Sequence, residues 1–404
     1  MDLSSAAAER DRLTKRRLDT IVPDLMDRHG FDAWVVDARE YNEDPVARTM
    51  LPATWLGTAR RRTILVFKDR GRERGAISRY PVGSFPSAWD PAQSDQWAAL
   101  AAYLADVEGT VGINTSHVFG LADGLTSSEH HAIARALDSH RLESAESLAI
   151  GWLETRVHQE VPLMAEACHI AHGFLRRALS REVIEPGKTT TQDVAWWLAQ
   201  TAHDSGHGIW FHPGVTVQRH GDGASSPADG IEDREILCGD LVHIDFGIVC
   251  NDYHTDQQQH GYVLADGVAE PPSSFVTGLA QANRVQDILM GEMTPGRSGN
   301  EALKSTLDRA KGDGIRPIVY THPIGFHGHA AGATIGLWDN QGHVEGAGDY
   351  PIGADTGWSI ELAVEVDAPE WEGQTVKIML EEDAFLGPNG VTFLDGRQES
   401  LWLI

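Results

Sequence analysis

Three acidic residues of this chain stand inside apolar runs that read as β-strands: Asp245 in DLVHIDFGIVC (240–250), Glu361 in SIELAVEV (359–366) and Glu381 in VKIMLEEDAFL (376–386). A bare carboxylate among buried aliphatic side chains is costly, so each of these acids needs a firm partner or a cation. The first run continues as HIDFGIVCNDYHTD, which turns at Cys250 to Tyr253 and returns with Asp256 eleven residues after Asp245. Side chains alternate along each strand and cross-strand neighbours lie about 5 Å apart, so such a hairpin can bring both acids to one face. Two inward acids repel unless something positive lies between them. For this hairpin alone, solvated acids at strand ends remain an alternative.

The rest of the chain supplies a frame for these strands. Its 404 residues exceed what one core usually serves, and 41% apolar residues suffice for two. The first part alternates helix and strand: a polar helix over 5–28, strands at 32–36, 62–67 and 110–114, a helix at 95–107, and a helical stretch at 125–150. This order predicts a small α/β domain over 1–157. From 158 to 404 the texture changes to helices at 162–182 and 190–205, strands at 214–218, 240–250, 259–265, 359–366 and 376–386, and helices at 273–291 and 300–312. Helices and sheet in separate runs predict an α+β domain.

Composition removes several classes of function. A formal charge of -26, from 59 acidic against 33 basic residues, repels phosphate backbones and anionic lipid, so neither nucleic acid nor a membrane is an expected partner. Cys168, Cys238 and Cys250 form no paired spacing, which fits a reducing compartment rather than a disulfide framework. The start MDLSSAAAERDRLTKRR has charges where a secretory signal needs an apolar core, and no stretch reaches the roughly 18 apolar residues of a membrane span. The expected location is cytoplasmic.

His322, in the Gly- and His-rich stretch THPIGFHGHAAG, completes a set of four carboxylates and an imidazole suited to two divalent cations. The order and spacing of these residues resemble the pita-bread (M24) metallopeptidases, in the branch of Xaa-Pro dipeptidase (prolidase), aminopeptidase P and creatinase. The resemblance covers about residues 160–404. It implies a pita-bread catalytic domain preceded by a smaller α/β creatinase- or prolidase-type domain. It further implies that Asp245, Asp256, His322, Glu361 and Glu381 hold two divalent metal ions (Mn, Co, Zn or Fe), Asp245 on one, His322 and Glu361 mainly on the other, Asp256 and Glu381 bridging. Glu381 is preferred over Glu382 because LEEDAFL then keeps the register of the family's last strand. The activity implied is hydrolysis of a short peptide or small amide by a metal-activated water. Glu361 would pass the proton to the leaving nitrogen, and His329 would bind the substrate carbonyl or its oxyanion. A homodimer is implied as well.

The chain departs from the proline-specific members at four places: Met379 where they carry an Arg, with Lys377 the nearest cation; SSPADG (225–230) where they carry a His, with His220 closest; Ile318 for another His; and Ala330 for a Glu. Three functions are therefore carried forward: an Xaa-Pro dipeptidase or aminopeptidase, a hydrolase of a small non-peptide amide or cyclic amidine, and a catalytically silent binding protein on the same fold. Among the other histidines, His212 in WFHPGVTV reads as a substrate-pocket residue or as plain packing. His243 reads as a support for Asp245 or as a core histidine bonded to backbone. Trp196 and Trp197 read as core; Tyr41 and Trp55 read as buried packing or, as in dimeric relatives, as residues that reach a neighbouring subunit's pocket.

Overall fold

A computed structural model describes residues 2–222 and 232–404, and the chain divides after Glu160 into two units, Met1–Glu160 and Val161–Ile404. The segment SSPADG (225–230) lies outside the described residues.

The N-terminal unit begins with helix α1 (Leu3–His29), capped by Asp2 accepting from Ser5 N–H and ended by Gly30 at φ 74°, a left-handed conformation that a residue without Cβ adopts at little cost. It continues through β1 (Ala33–Arg39), α2 (Pro45–Met50), β2 (Arg62–Lys68), β3 (Glu73–Ile77), α3 (Gln96–Tyr103), β4 (Thr110–Ile113), α4 (Ser127–Ala136), β5 (Arg141–Ser144) and α5 (Glu146–Glu154). The sheet runs β3-β2-β1-β4-β5, with β1 parallel to β4 and β4 parallel to β5. The helical stretch expected at 125–150 is thus split by β5, a short edge strand of half-buried and exposed residues without a readable period. Tyr41 is 90% exposed rather than buried, held at φ 70° just after β1.

The C-terminal unit opens with α6 (Val161–Ala178) and α7 (Thr191–Asp204), the second fixed by a Thr190/Asp193 capping box. Strands β6 (Gly208–Ile209), β7 (Gly214–Gln218), β8 (Leu241–Phe246), β9 (Ile248–Cys250), β10 (Tyr253–His254) and β11 (Gln257–Tyr262) follow. Next come α8 (Ser273–Glu292), α9 (Gly299–Gly312), β12 (Arg316–Val319), β13 (His322–Pro323), β14 (Thr356–Ala368), β15 (Gln374–Gly387), β16 (Gly390–Phe393) and β17 (Trp402–Leu403). The main sheet runs β12-β14-β15-β11-β8-β7, with β13 on β14, β16 on β15 and β17 on β11.

One face of this sheet is apolar. Val215, Val242, Ile244 and Phe246 pack with α6 and α7, and Ile360, Leu362, Ile378 and Leu380 pack with α8 and α9. Alternation then sends the intervening residues to the other face, which is where the acids lie. The single strand expected over 240–250 breaks at Gly247, where a Cβ would stand 2.2 Å from Thr255 O and 2.3 Å from Trp210 Nε1. The hairpin turn at Asn251 and Asp252 has φ of 52° and 70°, the positive angles of a tight two-residue loop. Trp196 is 64% exposed, contrary to the expected core position; it sits on the outer side of α7 against His212. Among the described residues, no helix is long and apolar enough to cross a membrane.

Candidate metal centre

Strand register lines up one row across the inner face. Gly214 pairs with Asp245, Asp245 with Gln258, Gln258 with Glu381, and Glu381 with Glu361, so five strands contribute one residue each at the same level. Asp256, just before β11, and His322, which pairs with Ser359 on β14, close the cluster from the adjoining level. Three overlapping sets of donor atoms lie within 4.8 Å of one another: Asp245, Asp256 and Glu381; His322, Glu361 and Glu381; and Asp256, His322 and His329. The two glutamates of LEED separate by face. Glu381 joins the row, whereas Glu382 points to the helices and meets His172 Nε2 at 2.6 Å.

The electrostatics of the cluster call for positive charge. His322 Nδ1 lies 3.0 Å from Pro323 O and therefore carries the ring hydrogen, leaving Nε2 with a lone pair. That nitrogen faces Glu381 Oε1 at 3.4 Å, Asp256 Oδ2 at 3.7 Å and Glu361 Oε2 at 3.8 Å, and has no hydrogen-bond partner. Asp245 Oδ1 and Asp256 Oδ1 are likewise buried without a partner. Burial, and then the charge of Glu381, pushes the carboxyls of Asp245, Asp256 and Glu361 well above the usual carboxylate range. Bare lone pairs and crowded acids around one point fit the donor set of divalent cations, with the imidazole turned to them and its other nitrogen fixed by a carbonyl.

His329 lies on the solvent-exposed side, its ring 4.7 Å from that of His322 and nearly perpendicular to it. Desolvation, followed by the neighbouring His322, lowers its pKa. Trp210 stands edge-on to His329 at 5.2 Å and is anchored by its own Nε1–H to Thr255 O at 2.9 Å. His212 is not brought to this cluster. It precedes β7, is exposed, rests on Trp196 at 4.8 Å and lies 3.4 Å from Gln192 Oε1.

Four residues escaped the sequence reading. Gln258 Nε2 donates to Glu361 Oε1 at 2.5 Å and to Glu381 Oε2 at 2.7 Å. Ser359 Oγ donates to Glu381 Oε1 at 2.5 Å, and Asp383 accepts from Asp256 N–H at 3.1 Å. Tyr320, whose backbone N–H donates to Glu361 O, has a buried hydroxyl without a partner and a pKa raised by burial and by Glu361, Glu381 and Asp245. The signal available was β11 itself, where three successive glutamines are all buried. His243 bonds Gln258 Oε1 at 2.9 Å rather than backbone, and burial lowers its pKa to about 4.

Residues 162–384 match the family model of metallopeptidase family M24. No curated protein matches the sequence. Among solved structures, the chain is similar to an X-Pro aminopeptidase from Thermotoga maritima, at 17% identity and a TM-score of 0.67 over 94% of this chain and 99% of that one. It is also similar to an Xaa-Pro dipeptidase from Bacillus anthracis, at 17% and 0.64 over 98% and 100%. A prolidase from Pyrococcus furiosus aligns at 16% and 0.60 over 93% and 99%. At these identities the structures establish a shared fold.

Proposed function

Because this chain belongs to metallopeptidase family M24, we propose that it is a metal-dependent exopeptidase of the Xaa-Pro dipeptidase or aminopeptidase type, acting on short peptides. One observation carries the reading: the bare Nε2 of His322 within 3.8 Å of three carboxylates. Asp245, Asp256 and Glu381 would hold one divalent ion (Mn, Co, Zn or Fe) and His322, Glu361 and Glu381 a second. When bound, such ions make a water nucleophilic near neutral pH and polarise an amide carbonyl.

The chain's own groups supply the rest. Glu361, between Gln258 and His322, can take a proton and return it to the leaving nitrogen. His329, kept neutral by desolvation and His322, offers an N–H to the substrate carbonyl or the oxyanion that develops from it. Trp210 fixes the imidazole's edge and limits where a substrate side chain can lie.

A second reading, hydrolysis of a small non-peptide amide or cyclic amidine, draws on Met379. It is 1% exposed, two residues from Glu381 on the same strand, beside Ala363, where proline-specific relatives would present a cation. Purified protein with Mn²⁺ or Co²⁺ separates these readings in one panel of Xaa-Pro dipeptides, longer Xaa-Pro peptides, small amides and cyclic amidines. Cleavage of Xaa-Pro substrates supports the first. Silence on every peptide with metal shown bound, together with turnover of an amide, moves the assignment to the second. A stable protein that takes up no metal removes both and leaves a binding protein on this fold.

A further inference from the structure

The inner row of the sheet contains one member that is neither acid nor imidazole. Gln258 lies between Asp245 on one side and Glu381 on the other, and its amide group is fully engaged. Both hydrogens of Nε2 are used, on Glu361 Oε1 at 2.5 Å and Glu381 Oε2 at 2.7 Å. Glutamates that hold a cation are carboxylates, whose oxygens only accept, so in that state the amide nitrogen faces the acids and Oε1 faces away. Oε1 then meets His243 Nε2 at 2.9 Å, which makes that nitrogen the donor and leaves Nδ1 to accept from Thr216 Oγ1 at 3.4 Å. Polarity runs one way along the whole line, from Thr216 through His243 and Gln258 to the two glutamates.

The consequence falls on the oxygens that remain. With Oε1 of Glu361 and Oε2 of Glu381 occupied, the atoms left towards His322 Nε2 are Glu361 Oε2 at 3.8 Å and Glu381 Oε1 at 3.4 Å. Glu361 is thereby divided into one held oxygen and one directed oxygen, while Glu381 is held at both, Oε2 by Gln258 and Oε1, on the side of His322, by Ser359 Oγ at 2.5 Å. Such outer contacts orient ligands, and losing one typically costs about 10–100-fold in metal affinity.

We propose that Gln258, held by His243, is the positioning residue of this centre: its amide fixes the rotamers of Glu361 and Glu381 so that one oxygen of each is presented to the cation beside His322. The proposal rests on the metal-centre reading above, and the test keeps the two apart. Mn²⁺ binding is measured by titration calorimetry, with metal-free melting and far-UV circular dichroism, on the wild type, Gln258→Met and His243→Leu. Methionine keeps the length of the side chain and removes both donors, so packing is nearly preserved. The expected result is Mn²⁺ affinity at least tenfold weaker in Gln258→Met, with a smaller loss in the same direction in His243→Leu. Each variant should keep its folded spectrum. A role in packing alone would lower the melting temperature and leave the affinity unmoved. Gln258→Met binding Mn²⁺ within tenfold of the wild type overturns the proposal; if that variant does not fold, unchanged affinity in His243→Leu overturns it instead. Absence of Mn²⁺, Co²⁺ and Zn²⁺ binding in the wild type defeats the metal reading itself, and the proposal with it.

Discussion

Asp37 in β1 and Asp245 in β8 occupy the same kind of position, an acid near the end of a strand that is mostly buried in a sheet. In the N-terminal unit Asp37 has a long ion pair and no hydrogen bond. Its two oxygens have no hydrogen-bond partner, the Arg62 Nε stands 3.8 Å away, and burial followed by Glu129 pushes its pKa up to about 7. Asp44, nearby, is satisfied by Asn114 and the first N–H groups of α2. In the C-terminal unit Asp245 shares its row with Glu361, Glu381 and an amide, and has Asp256 beside it, while His322 faces Asp256, Glu361 and Glu381. A buried acid, then, does not mark a site. Convergence of several acids on one imidazole with a bare nitrogen does.

The sharpest way to break this contrast is to remove one acid from each unit. Asp256→Ala should lose Mn²⁺ from the centre and take peptidase activity down beyond the roughly 100-fold typical of a residue that only orients a ligand. Asp37→Asn should leave metal content and activity within about twofold, because among the described residues the N-terminal acid belongs to none of the candidate donor sets. Elemental analysis of both variants checks it, and metal loss in Asp37→Asn would erase the distinction. Next in size is His329→Ala, which should keep its metal and lose about 10²–10³ in kcat, the usual cost of one oxyanion donor. Loss of metal in that variant would move His329 from substrate to ligand.

These positions were readable to different degrees. The acids were legible because a carboxylate in an apolar strand is anomalous and because their order and spacing resemble the ligand set of family M24; the hairpin alone left solvated acids open. Gln258 was not, since glutamine at a strand start looks like solvent-facing polarity, and the strand read as 259–265 begins at Gln257. Strand β12 was illegible for a different reason: it is an edge strand carrying Pro317, a residue that argues against a strand by sequence and is tolerated only where one side is unpaired. His212 reads from sequence as pocket lining or packing, and in the fold it precedes β7 and is exposed. What sequence misses throughout is register between strands far apart in the chain, such as Gln258 opposite Glu381.

Charge response to pH sharpens the contrast further. Asp37, raised from 3.8 to about 7, keeps its proton in the folded state after the unfolded chain has lost it. Its contribution to stability is therefore full below about pH 4 and is lost as pH rises through about 7, amounting to a few kcal/mol at most. Asp37→Asn, neutral at every pH, should melt progressively higher than the wild type between pH 4 and 8. The difference should not change with Mn²⁺. A gap that Mn²⁺ closes would mean that the N-terminal acid is linked to the metal centre after all.

The smallest effect concerns the wall of the site rather than its charges. At Gly328 an added Cβ would stand 2.3 Å from the Trp210 ring, and that ring is pinned by Thr255 O and packs perpendicular to His329. Alanine there must displace the indole, at a cost of about 1–3 kcal/mol in stability. The N-terminal counterpart is Gly120, where a Cβ would meet nothing within 4 Å and alanine should change neither melting nor turnover. Gly328→Ala should reduce kcat severalfold through His329 and leave Mn²⁺ affinity intact, since the three atoms nearest the added methyl all belong to the Trp210 indole. Equal kcat in Gly328→Ala and the wild type, with the lower melting temperature present, would show that the indole packs the wall without aligning the imidazole.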